Sequence, residues 1–170
     1  MGLTAIMAMP ATAAKLEATV SAVPAAEQKW QLCGVFFEDY MRLTIRDGQG
    51  NVSTHDYCSS SGGYTSAEVL TDHAGAAFVL LRYEEGRGTS PVTQYLAVYK
   101  VASSLIEYLR TPIMSASGPT TQWRYTYTAA PLPRAGIRIV LTMEQPARGG
   151  GEFTPSEAVR IIDIDAGDST

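Results

Sequence analysis

Charge is missing from the first fourteen residues, MGLTAIMAMPATAA, and no basic run occurs anywhere in the 170-residue chain. The thirteen Lys and Arg residues are dispersed, so no track forms that could neutralise consecutive phosphates, and nucleic acid is excluded as an expected partner. No stretch of about eighteen apolar residues is present, so the sequence predicts no transmembrane segment. Histidine and cysteine are scarce, with two of each. His55 and Cys58 stand three apart, but no second close pair completes a tetrahedral set, so no metal site is expected. No cofactor motif and no Gly-x-Ser-x-Gly elbow occur either. The remaining composition is that of a globular protein: 45% hydrophobic, 18% charged, net charge −4.

What is present at the N-terminus is an apolar stretch, Leu3 to Met9, followed by Pro10 and the small-residue triplet Ala11-Thr12-Ala13. This is the order of an export signal and its cleavage site, although the basic opening of such a signal is absent. Residues 1–14 are therefore read as a truncated signal peptide or a disordered leader, 15–165 as a single β domain and 166–170 as a tail. The expected address is periplasmic or secreted. An even cysteine count in an exported chain favours a Cys33–Cys58 bridge, worth about 3–4 kcal/mol at most by the chain-entropy model.

Through most of the chain apolar residues recur at a spacing of two, interrupted by turn residues at strand-length intervals. The spacing predicts an antiparallel all-β domain of eight to nine strands, as a sandwich, barrel or propeller-like meander. Leu16, Ala18, Val20 and Ala22 alternate with polar neighbours until Pro24; Met41, Leu43 and Ile45 do so before the Asp47-Gly48 turn. Ala77 to Glu84 and Thr93 to Val101, apolar on both faces, are expected to be central strands joined through Gly86 to Pro91, with Leu105 to Arg110 following. Gln122 to Thr128, Gly136 to Glu144 and Glu157 to Asp165 complete the set. A further strand is expected from Lys29 to Glu38, where two cysteines on neighbouring strands would bridge. Ser59 to Gly63, Ser115 to Thr121 and Arg148 to Thr154 read as mobile linkers.

Directly after Cys58 comes Ser59-Ser60-Ser61-Gly62-Gly63-Tyr64. A cysteine-anchored loop of small residues can protrude and offer hydroxyls and bare amides to a partner's cleft. Its last four residues, Ser61, Gly62, Gly63 and Tyr64, resemble the Ser-Gly-x-Tyr loop that bacterial periplasmic inhibitors of animal lysozymes insert into the enzyme's active cleft. The resemblance implies that Ser61 and Tyr64 would contact the catalytic groups of the partner. An immunity protein that blocks a delivered cell-wall-degrading toxin is a related expectation, by analogy of architecture and address.

A second candidate surface is the face of Trp123, Tyr125 and Tyr127, which would either stack on sugar rings or pack in the core. A third reading is a small hydrolase. His55 and His73 each adjoin an aspartate, Asp56 and Asp72, with serines between them; yet strand neighbours point to opposite faces, so His55-Asp56 is not itself a catalytic pair. No catalytic residue is assigned. Glu84-Glu85 beside Gly86 reads as strand-end charge or part of a binding rim. The leading expectation is thus an exported binding protein acting through a loop on a protein partner, an inhibitor or immunity protein of a wall-active hydrolase. The alternative is a carbohydrate-binding or envelope structural module.

Overall fold

The two-residue spacing becomes strand. A computed structural model describes residues 15–29, 33, 39–60, 65–86, 91–147 and 155–166. Among them run ten strands: β1 (Glu17–Ala22), β2 (Asp39–Arg46), β3 (Val52–Ser59), β4 (Ser66–Thr71), β5 (Ala77–Glu85), β6 (Val92–Val101), β7 (Leu105–Ser117), β8 (Thr120–Pro131), β9 (Ile137–Gln145) and β10 (Val159–Ile164). They form two antiparallel sheets in a sandwich-like arrangement, a three-stranded one in the order β1-β2-β3 and a seven-stranded one in the order β10-β9-β8-β7-β6-β5-β4. The leader 1–14 and the expected linker Arg148 to Thr154 lie outside the described residues.

Alternation dictates the packing. On β2, Met41, Leu43 and Ile45 point inward and, with Tyr57 of β3, meet Val79, Leu81 and Tyr83 of β5 and Ala97 and Tyr99 of β6. The residues between them on β5 and β6, Phe78, Leu80, Leu96 and Val98, point the other way into a second core with Trp123, Tyr125, Ile139, Leu141 and Ile164. β5 and β6 are therefore covered on both faces, which is why their sequences are nearly continuously apolar. Each of these buried aliphatic side chains stabilises the fold by about 1.5–3 kcal/mol relative to exposure.

The second core exists because the larger sheet folds over on itself. β7 and β8 pair only over Met114–Ser117 with Thr120–Arg124. Beyond that point β7 continues on β6 while Tyr125–Pro131 of β8 runs with β9. Register shifts on β6–β7, at Ser115/Ala116 and at Arg124/Tyr125 supply the local bending and twist that such a fold-over needs. Across the fold, Tyr127 Oη on β8 donates to Glu68 Oε1 on β4 at 2.9 Å.

The turns are tied together as well. Asp72, 5% exposed, accepts from the amides of Ala74 (2.9 Å), Ala76 (2.8 Å) and, far along the chain, Gly136 (2.6 Å). Gly136 has φ +90°, and a side chain there would run into the Ile164 carbonyl, so both the turn and the close approach demand glycine. Burial pushes the Asp72 carboxyl up, but the amides of Gly136, Ala76, Ala74 and Gly75 together outweigh it and hold the group below its ordinary value.

Two expectations are corrected, and a third lies largely outside the described residues. There are ten strands among the described residues rather than eight or nine, the unforeseen ones being β3, which is polar and short of aliphatics, and β4. Ser115 to Thr121 is no linker but the β7–β8 hairpin, turning at Gly118-Pro119 with Gly118 at φ +57°. The strand expected from Lys29 is not formed at Lys29, and Cys33 sits in a bend; a short 3-10 turn at Ala25–Glu27 precedes them. Residues 30–32 and 34–38 lie outside the described residues. The bridge does form: Cys33 and Cys58 are disulfide-bonded with Cα atoms 5.5 Å apart.

Candidate functional site

Ser61, Gly62, Gly63 and Tyr64 lie outside the described residues, but the chain on either side of them is fixed. β3 delivers Cys58 into the disulfide and then Ser59 and Ser60 into the interior. The Ser60 amide donates to the Glu84 carbonyl at 2.7 Å, and the Ser59 and Thr65 hydroxyls lie 3.4 Å apart. Ser66 then opens β4. The segment therefore joins an anchored end on one sheet to an anchored start on the other.

The histidine chemistry is dispersed. His55 faces the space between the sheets, its Nε2 3.1 Å from Tyr99 Oη and the rings 4.8 Å apart. Burial lowers its pKa, offset in part by Glu107 and Asp56. Asp56 points to the opposite face, as neighbours on a strand must. There the Arg42 guanidinium donates to both its oxygens, at 2.7 and 3.1 Å, and to Glu27 at 2.6 Å. His73 is exposed in the β4–β5 turn while Asp72 beside it is taken up by backbone amides.

The aromatic face turns inward. Trp123 and Tyr125 are 7% and 3% exposed, packed edge to face at 6.1 Å, and Tyr125 Oη donates to the Glu157 carbonyl at 2.6 Å. Tyr127 is half-buried, its hydroxyl held by Glu68 and its pKa pushed up to about 12, chiefly by burial. Trp123 and Tyr125 are thus core rings and Tyr127 packs against them, with Tyr125 and Tyr127 also reaching the wall of a cavity.

A site that the sequence did not single out opens where β7 and β8 part. A cavity of about 440 Å³ lies beside the last pair of that hairpin, Met114 and Arg124. Its floor comes from the polar ends of β5 and β6, Arg82, Glu84 and Gln94; Thr126, Tyr127 and Glu144 of β8 and β9 complete the wall. Arg82 and Glu84 share a face with Phe78 and Leu80, so the strand that is apolar over the core becomes charged over the cavity. Glu84 is 7% exposed and accepts from Gln94 Nε2 at 3.1 Å. Burial pushes its carboxyl above the ordinary value; the Gln94 hydrogen bond and the Arg82 charge offset this only in part. Arg82 Nε is buried without a hydrogen-bond partner. The legible signal was Glu84-Glu85 as a rim; Arg82, on the same face as Glu84, is the residue that alternation alone could have added.

These features define a class: an all-β, disulfide-bonded, sandwich-like protein with an anchored inter-sheet segment and a polar cavity in the fold of its larger sheet. Compared with protein-family models, curated proteins and solved structures, the chain matches none.

Proposed function

We propose that this is an exported binding protein that acts on a protein partner through the segment Ser61 to Tyr64, as an inhibitor or immunity protein of a cell-wall hydrolase. The observation that carries the reading is the anchored base: a disulfide at Cys58, the buried Ser59 and Ser60, and the Ser60 amide on Glu84. A segment held at both ends loses less conformational freedom when a partner closes on it. The resemblance of Ser61-Gly62-Gly63-Tyr64 to the loop of periplasmic lysozyme inhibitors supplies the partner class, and the disulfide fits an oxidising compartment.

The test is inhibition of peptidoglycan lysis by a lysozyme-type muramidase as the disulfide-intact chain is titrated in. Wild type is expected to inhibit stoichiometrically, and Tyr64→Ala to weaken inhibition by at least about tenfold, the loss of an aromatic anchor, with an unchanged melting temperature. Full inhibition by Tyr64→Ala would reject the site. A wild type that inhibits neither this enzyme nor other wall hydrolases would reject the function.

A further inference from the structure

Of the eight described arginines, four are paired with carboxylates, Arg46 and Arg134 stand exposed at turns, and two line the cavity. Arg42, Arg110, Arg138 and Arg160 each form an ion pair with a carboxylate. Arg82 and Arg124, the two that line the cavity, pair with no carboxylate among the described residues. Arg124 has only a 3.8 Å contact to the Met114 sulfur, and Arg82 leaves a buried Nε–H unsatisfied. An unsatisfied buried donor is costly, and a guanidinium is built to hold a planar, two-oxygen anion. Of the two carboxyls that line the cavity, Glu84 already accepts from Gln94.

We infer that the cavity between β7 and β8 is a binding site for a small carboxylate-bearing molecule, with its carboxylate on Arg82 and Arg124. Ile113, Met114 and Tyr125 supply an apolar wall for a short carbon chain or ring. About 440 Å³ is in the size range of small-molecule sites. Phosphate is the poorer fit: it is tetrahedral and carries more charge than a site containing Glu84 and Glu144 would compensate. This site is independent of the Ser61 to Tyr64 segment, so either can fail without the other.

The experiment is an amide chemical-shift titration of the full chain with glutarate, benzoate and inorganic phosphate in turn. One carboxylate probe is expected to give saturable shifts centred on Arg82, Gln94 and Tyr127, and phosphate to bind more weakly. Arg82→Gln should weaken that probe by about tenfold or more, the loss of a charge-assisted bidentate contact, and Arg134→Gln on the exposed β8–β9 turn should leave it unchanged. Glu84→Gln distinguishes the ligand's sign: it should hold or tighten carboxylate binding by removing a like charge. Should Arg82→Gln fail to fold, Arg124→Gln serves in its place, with a smaller loss expected at the rim. No saturable shift from either carboxylate, equal binding by the arginine variant, phosphate bound as tightly, or binding lost in Glu84→Gln would each overturn the assignment.

Discussion

β5 and β6 bury two faces, and the two end differently. Towards the three-stranded sheet the charged groups find partners within the protein, although the buried Tyr57 hydroxyl does not: Arg110 donates to Tyr83 Oη at 2.8 Å, forms an ion pair with Glu85 and lies 4.4 Å over the Tyr95 ring, and Tyr99 meets His55. Towards β8–β10 the same strands finish in Arg82 and Glu84, beside a cavity, with a donor unsatisfied. On one face the guanidinium is paired, and on the other it is left unpaired beside a cavity. Strand alternation separates scaffold from site here within single strands, so that adjacent residues of β5 differ in what they are for.

The comparison should fail in the middle of β5, where both faces are core. Leu80 and Leu81 point to opposite cores and both are buried. Leu80→Ala and Leu81→Ala are each expected to cost about 2–5 kcal/mol in chemical denaturation. A loss below about 1 kcal/mol for either would mean that its face is not packed as described.

Those central strands were legible because residues covered on both sides leave an uninterrupted apolar run. β3 was not legible: Val52–Ser59 reads VSTHDYCS, and its buried face is made of Tyr57, His55 and hydroxyls rather than aliphatics. Ser115 to Thr121 misled for a related reason. Its small polar residues and glycine have the composition of a linker, yet a hairpin with a glycine turn uses the same residues. The aromatic stripe of Trp123, Tyr125 and Tyr127 was visible as a pattern, but which way it faces depends on β8 folding back across β4, a long-range event. The cavity was invisible for that reason too, since it exists only where β7 and β8 diverge.

Asp72 sharpens the contrast between turns and sheets, because one carboxylate fixes two turns that are distant in sequence. Asp72→Ala should cost about 2–4 kcal/mol by leaving buried amides unpaired. Its folded-state pKa is depressed, so its contribution is fully present above the ordinary carboxylate range and is lost as pH falls through the folded value. Wild-type stability should therefore fall more steeply than that of Asp72→Ala below about pH 4. Parallel curves for the two proteins would contradict the amide clamp.

The smallest effects carry the most direct test of the difference between the two faces: thermal unfolding of Arg110→Met and Arg82→Met side by side, without ligand. Arg110→Met removes an ion pair, a hydrogen bond and a cation–π contact, and should lower stability by about 1 kcal/mol, a fall of about 2–4 °C. Arg82→Met removes an unpaired guanidinium from a cavity and should leave the melting temperature unchanged or raise it. Opposite or unequal signs in that sense would confirm that the guanidinium of one face is paired within the fold and that of the other awaits a ligand; an equal fall in both variants would contradict it.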